Sequence, residues 1–186
     1  MSASKFFKRS RLFYGFINLA FNQYDSERVK SVGPDTAAAE WVLKNEGWVR
    51  GLAHSEWVKD YSGLSTCYGP RFKLTHIEAV NIDLTSGGCK HFDGLKHVKY
   101  LNLRDCVNID DSGLRVICRN CWNSLEYLDI VGTSISIRGL ELVTEFKTLQ
   151  AFKYDKKLTT DSLKHNEIIS KLSESGKFKD IQAVGW

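Results

Sequence analysis

Cys118 and Cys121 stand three residues apart, the spacing of a zinc or dithiol motif. As half of a zinc site the pair needs two further ligands at suitable spacing. Cys106 and His97 are available but follow no pattern. A redox pair would open a helix after a strand, whereas this one closes a helical stretch beside Leu114 and Ile117. The reading as buried free thiols, which behave as small hydrophobes, is therefore preferred. The five cysteines, Cys67, Cys89, Cys106, Cys118 and Cys121, are odd in number, irregular in spacing and preceded by no secretory signal. Reduced thiols are expected in place of a disulfide framework. Asp110-Asp111 offers two carboxylates to a metal, but the pair also suits the positive end of the helix that follows, and capping is the reading adopted.

No reaction centre emerges beyond these. There is no Gly-x-Ser-x-Gly elbow, no His-Glu-x-x-His, no phosphate loop and no dinucleotide glycine fingerprint. His54, His76, His91, His97 and His165 are scattered and form no set with a nucleophile and a carboxylate. The expected class is a non-enzyme that needs no cofactor. The charge is +4 over 186 residues, and Lys5, Lys8, Arg9 and Arg11 all precede the first acid, Asp25. Without those four the remainder is close to neutral, so the basic stripe of a nucleic-acid binder is missing.

The elements that would position a site fall into two halves. Residues 1–24 join basic, hydroxyl and aromatic residues without an acid, the composition of a mitochondrial transit peptide. Such a segment is drawn toward a negative compartment at about 2.3 kcal/mol per charge per 100 mV. Residues 1–12 are expected to be a targeting remnant, and the chain from Phe13 onward to pack as a helix, with Phe13, Phe16, Ile17 and Ala20 on one face. An interfacial helix at an anionic membrane surface is the alternative; no apolar run approaches the roughly 20 residues of a span. Gly33-Pro34-Asp35 reads as a helix start, Ala38, Trp41 and Val42 as its apolar stripe, and Gly47 as a left-handed stop. A second amphipathic helical piece is expected around Trp57, Val58 and Tyr61. Gly63, Gly69 and Pro70 then break the chain, so residues 13–70 read as a helical domain and residues 71–186 as the next.

That second half repeats. The pattern apolar-x-x-apolar-x-apolar occurs as Ile77, Val80, Ile82; Val98, Leu101, Leu103; Leu125, Leu128, Ile130; and Leu149, Phe152, Tyr154, with starts stepping by 21, 27 and 24 residues. This is the leucine-rich-repeat period. The expected fold is α/β, a short leucine-rich-repeat solenoid of about four units with parallel strands on the concave face, closed by the helical cap. The best-formed unit, Leu101-Asn102-Leu103-Arg104-Asp105-Cys106 through Gly113-Leu114, is of the cysteine-containing subtype, with Cys106 at a buried corner. The fourth is degenerate, ending in Asp161-Ser162-Leu163.

Residues between the core positions should point to the open face. Three columns follow: Ala79, Tyr100, Tyr127, Ala151; then Asn81, Asn102, Asp129, Lys153; then Asp83, Arg104, Val131, Asp155. Tyr100, Asn102, Arg104, Tyr127, Asp129 and Lys153 are the candidate protein-binding residues, because tyrosine and arginine are favoured at hot spots.

The strings Phe13-Tyr14-Gly15-Phe16-Ile17-Asn18, Val32-Gly33-Pro34-Asp35, Ala37-Ala38, Glu40-Trp41 and Trp57-Val58-Lys59-Asp60-Tyr61, continuing through the repeats to about residue 150, resemble the mitochondrial ATP synthase subunit s (coupling factor B) family. A related branch serves assembly of the distal membrane arm of respiratory complex I. The resemblance implies a helical N-terminal domain before leucine-rich repeats, and a protein partner in an inner-membrane respiratory complex. It implies a place on the matrix side of that membrane, with peripheral membrane contact, and a part in coupling proton flow to ATP synthesis. It also implies a thiol at Cys106, the second cysteine position of the family's pair being Arg104. Finally, it implies magnesium held by the main-chain carbonyls of Glu46 and Asp83; oxygen donors with retained waters suit that ion. Two readings of other classes stand beside it: a ubiquitin-ligase substrate receptor, suggested by the repeat subtype, and a thiol-redox enzyme built on Cys118 and Cys121.

Overall fold

The structure is a computed structural model, and it describes residues 19–67, 72–160, 162–174 and 178–185. The expected targeting remnant at 1–12, the helix from Phe13 as far as residue 18, and the break at Gly69-Pro70 lie outside these residues. What is described is a mixed α/β fold around one sheet of six strands in sequence order: β1 (Trp48–Gly51), β2 (Leu74–Glu78), β3 (Tyr100–Asn102), β4 (Tyr127–Asp129), β5 (Ala151–Asp155) and β6 (Asp180–Val184). β1 runs antiparallel to β2, and every later pair is parallel.

Local chemistry sets the helices. In α1 (Ser26–Val32), Asp25 caps the start by accepting from the Arg28 amide at 2.9 Å. Pro34 opens α2 (Pro34–Lys44), as expected of a residue with no amide hydrogen to leave unpaired. Ala38, Trp41 and Val42 are buried as the stripe requires. Two acids of α2 are buried as well. Asp35 accepts the Leu74 amide at 2.9 Å, and Glu40 accepts from Arg28 Nε at 2.8 Å. The first of these ties the helix to β2.

The left-handed residue after α2 is Glu46 (φ 67°), not Gly47. Gly47 is needed for proximity instead, since a Cβ there would lie 2.6 Å from Val42 Cγ1 and 3.1 Å from the Glu78 carbonyl. Trp57 and Val58 are not helical either. Val58 makes an antiparallel bridge to Val49 on the outer edge of β1, and helix α3 begins only at Tyr61 (Tyr61–Cys67). Paired backbone along β1 outcompetes the amphipathic pattern read from the sequence.

In the repeated half, Leu101, Leu128 and Phe152 meet in adjacent rungs as expected, but their partner on β2 is Ile77, not Val80. The first unit is therefore Leu74-x-x-Ile77-x-Ala79. All three are buried, whereas Val80 is 39% exposed. The sheet also gains a strand that the pattern did not show: β6 pairs Ile181 with Phe152.

The returns carry helices α4 (Asp111–Cys121), α5 (Ile137–Leu142) and α6 (Ser162–Glu174), with 3-10 turns at Gly88–Phe92, Val143–Glu145 and Lys156–Thr160. Ile168 and Leu172 fill the core from α6, while Leu163, at the end of the degenerate fourth unit, is 84% exposed. A polar ridge joins successive returns. Ser86 Oγ donates to Asp110 Oδ1 at 2.7 Å, and Asp111 accepts from Ser136 at both its amide (2.7 Å) and hydroxyl (2.6 Å). Gly139 lies where any Cβ would collide with Asp111 Oδ1.

The register is checked by a pair of truncations. Ile77→Ala is expected to cost 2–5 kcal/mol in denaturant unfolding, about the value for a buried aliphatic. Val80→Ala should stay within about 0.5 kcal/mol, as at a surface site; the reverse order would restore the register read from sequence.

Candidate protein-binding face

Side chains alternate along each strand, so the register that buries Ile77, Leu101, Leu128 and Phe152 fixes what stands on the other side. The first column is His76, Tyr100, Tyr127, Ala151; the second is Glu78, Asn102, Asp129, Lys153. On β2 these replace Ala79 and Asn81. Ala79 is buried, Asn81 takes a left-handed conformation (φ 53°), and Asp83 lies beyond the end of the strand. The main-chain ladder continues one step beyond the strands, because the Asn81 amide donates to the Arg104 carbonyl and the Asp105 amide to the Val131 carbonyl.

Aromatic rings dominate the first column. Tyr100 and Tyr127 stack with centroids 4.5 Å apart and planes 7° from parallel, and His76 stacks on Tyr100 at 5.7 Å. Trp57 meets His76 and Tyr100 edge-on, at 6.1 Å from each. The sequence places neither Trp57 nor His76 on this face: its pattern puts Trp57 in a helix, and the shifted register hides His76. All four rings are half-buried, the state of a surface that still has area to lose on binding.

The second column is less available. Asn102 and Asp129 are buried. Each folds back on its own turn: Asn102 Oδ1 accepts the Arg104 amide at 3.1 Å, and Asp129 Oδ1 accepts the Val131 amide at 3.0 Å. Asn102 Nδ2 also donates to Glu78 Oε1 at 2.8 Å, and Arg104 Nη2 to Asp129 Oδ2 at 3.0 Å. Burial, followed by the field of Asp129, pushes the Tyr127 hydroxyl up to about 12. Burial and a hydrogen bond with Glu78 raise that of Tyr100. Burial, then Arg50 and Lys99, lower the pKa of His76. At neutral pH both phenols are protonated and the imidazole is neutral.

Four of the five thiols are described, and all four are buried. Cys89, Cys106, Cys118 and Cys121 are free and buried. Cys106 sits at the corner as expected, its Sγ donating to the Ala79 carbonyl at 3.0 Å. Burial pushes it to about 11 and Cys121 to about 12, and raises Cys89 and Cys118 as well. A thiolate, the reactive form, is thus scarce at neutral pH.

Asp110 caps α4, accepting the Ser112 amide at 2.9 Å, and the hydroxyls of Ser112 and then Ser86 hold it down to about 2. Among the described residues no three His, Cys, Asp or Glu side chains converge on a metal position. The carbonyl of Asp83 accepts Asn22 Nδ2 at 2.8 Å, and Glu46 lies on the turn after α2. No helix of the described residues is long and apolar enough to cross a membrane.

No family model matches the chain. Individual proteins do. Over 144 residues, 76% of this chain and 72% of the relative, it is 39% identical to ATP synthase subunit s, mitochondrial, of Homo sapiens, and 35% identical to that of Rattus norvegicus. The chain belongs to the mitochondrial ATP synthase subunit s family. Distal membrane arm assembly component 2 of Drosophila melanogaster is 27% identical over 132 residues, 69% of this chain and 46% of that protein. The subunit s relatives are named as subunits of a complex and the fly protein as an assembly component, with no separate catalytic activity in either name.

Thiol titration tests the burial. In a Cys67→Ser variant of this subunit s relative, a disulfide reagent at pH 8 should leave the other four thiols unreacted on the minute timescale until denaturant is added. Fast reaction of any of them in the folded protein would contradict the packing.

Proposed function

We propose that this chain is a non-catalytic mitochondrial protein-binding factor. In this reading it lies on the matrix side of the inner membrane, peripheral to it, and regulates proton-driven ATP synthesis through contact with the membrane sector of ATP synthase. Its architecture is a short leucine-rich-repeat array over residues 71–186 capped by the helical segment 13–70. The sequential parallel strands with a helical or 3-10 return between them support that reading.

The observation that carries the proposal is the half-buried stack of Tyr100 on Tyr127, flanked by Arg104 and Lys153. Large amphipathic rings supply contact area at low entropic cost. Cys89, Cys106, Cys118 and Cys121 are buried with raised pKa values, so no reactive thiolate among these four serves the stack. Tyr100, Arg104, Tyr127 and Lys153 make the contact, while Asn102 and Asp129 hold the turns beneath it. The names of the relatives supply the mitochondrial complex.

A second reading, an assembly factor for the distal membrane arm of complex I, is favoured by the fly relative. Native-gel migration of the tagged protein separates the two. Signal at the ATP synthase position supports the first, and signal only with partial complex I assemblies supports the second. In either case Tyr100→Ala and Tyr127→Ala should each weaken partner binding by about 2 kcal/mol. Full partner recovery by both variants would remove the face from the proposal.

Magnesium is part of the same proposal. The main-chain carbonyls of Glu46 and Asp83 would hold it, and the Asn22 amide uses only one of the two lone pairs of the Asp83 carbonyl. Bound there, the ion would stabilise the joint between α2 and the first repeat. A thermal melt that rises with millimolar magnesium is expected; a melt insensitive to magnesium would exclude the site.

A further inference from the structure

The aromatic face carries cations that form no ion pair among the described residues, while most of the carboxylates near it are held by other groups. Glu78 accepts from Asn102 and hydrogen-bonds with the Tyr100 hydroxyl. Asp129 is held by Arg104 and by the Val131 amide. At the rim Glu126 pairs with Lys99, Asp155 with Lys157, and both oxygens of Asp180 accept from Gln182. These five acids are engaged within the chain; Glu56 and Asp60 stand at the rim beside Trp57 and Lys59, with Asp60 accepting the Gly63 amide at 2.7 Å.

Three cations are different. The Arg50 guanidinium lies 5.1 Å from the centre of the Trp57 ring, Lys59 Nζ 4.1 Å from that of Trp48, and Lys153 Nζ 5.8 Å from that of Tyr127. None of the three stands in an ion pair among the described residues. A ring face attracts a cation but leaves its N–H donors free to meet an anion.

Their placement is also informative. Arg50 is on β1 and Lys59 just beyond it, whereas Lys153 is on β5. Four strand spacings separate the two ends, about 19 Å. Between them lie Trp57, His76, Tyr100 and Tyr127, with His76 carrying no charge at neutral pH. An apolar, polarisable floor thus has a cationic post at each end.

We propose that this face takes an acidic segment of a partner protein, lying across the strands, apolar at its centre and bearing carboxylates at both ends. The inference rests on the face being the protein-docking surface. A helix of about 13 residues covers the span. The segment before Asp25 in this chain has the wrong sign, with Lys5, Lys8, Arg9 and Arg11 and no acid. A second copy of the face would oppose like with like.

Synthetic helical 16-mers give the test: one with a leucine-alanine centre and glutamates at both ends, and the same peptide with lysines in their place. Binding to the full chain is followed by calorimetry and tryptophan fluorescence. The glutamate peptide should bind, more weakly as salt rises, and the lysine peptide should not. An Arg50→Glu/Lys153→Glu variant should lose at least tenfold in affinity for the first and gain affinity for the second. Lys59→Glu, at an exposed position, is the second variant if the double one melts early.

Equal binding of both peptides, no binding of the glutamate peptide, or affinity unchanged by charge reversal would overturn the proposal. So would binding only to phosphatidylserine vesicles, which would make the surface a lipid site. If capture of the mitochondrial partner is lost in Tyr100→Ala yet kept in the charge-reversed variant, the acidic segment is wrong and the docking face stands. If capture survives both, the face itself is wrong.

Discussion

Everything on the open face depends on the lateral register of very short strands. β3 and β4 have three residues each, and β2 and β5 have five. No such strand is stable alone, and each exists because its neighbour completes both its hydrogen bonds and its apolar layer. Ile77, Leu101, Leu128, Phe152 and Ile181 pair in one continuous row. With a side-chain period of two, the same row places the aromatic column directly opposite. A slip of one residue would bury Tyr100 and Tyr127 and expose Leu101 and Leu128. The hydrophobic layer therefore sets the geometry of the aromatic face, at a separation between neighbouring strands that matches ring stacking.

The polar side chains at the strand ends serve the same constraint. Asn102, Asp129 and Asp155 are buried, and each accepts from a main-chain amide, at Arg104, Val131 and Gly132 respectively. A buried amide without a partner costs about 1–3 kcal/mol; an Asn or Asp at the strand end removes that cost where the chain turns away from the sheet. The helical side has an equivalent lock in the Ser86–Asp110 and Asp111–Ser136 pairs. The first three returns are thus joined on the helical side and the strand-end turns are held by their own side chains, so Arg104 and Tyr127 project from a held backbone.

The repeated core was legible because it is periodic. Val98, Leu101, Leu103, Leu125, Leu128, Ile130, Leu149, Phe152 and Tyr154 are all buried. The first unit was misread for a physical reason: two overlapping patterns compete at Ile77. Ile77-x-x-Val80-x-Ile82 carries more apolar bulk than Leu74-x-x-Ile77-x-Ala79, yet the small Ala79 fits where Cys106 Sγ reaches its carbonyl. Hydrophobicity favoured the first pattern and close packing selects the second. That shift of three residues hid His76 and Glu78. β6 was missed because Ile181 and Ala183 make a weak signal, and β1 because four residues, Trp48 to Gly51, are too few for a pattern. Tyr100, Arg104, Tyr127 and Lys153 on the face were visible because their strands had the clearer register. Trp57 and Arg50 reach it through an antiparallel edge that no repeat period encodes.

That edge bears on what the N-terminal half is for. A parallel array ends in a strand with unpaired backbone, a template for unwanted association. Here β1 covers the β2 edge, and residue 58 in turn bridges to β1. The same two segments carry Arg50 and Trp57 onto the aromatic stripe. Buried Asp35, accepting the Leu74 amide, fixes α2 to β2 and so sets where β1 emerges. The N-terminal half is then both the stopper of the sheet and one end of the aromatic stripe. A chain trimmed back to its repeats would expose the edge and shorten the stripe at once, so loss of binding in such a fragment would say nothing about the tyrosines. Point substitutions on the intact chain are the only clean way to separate the two roles.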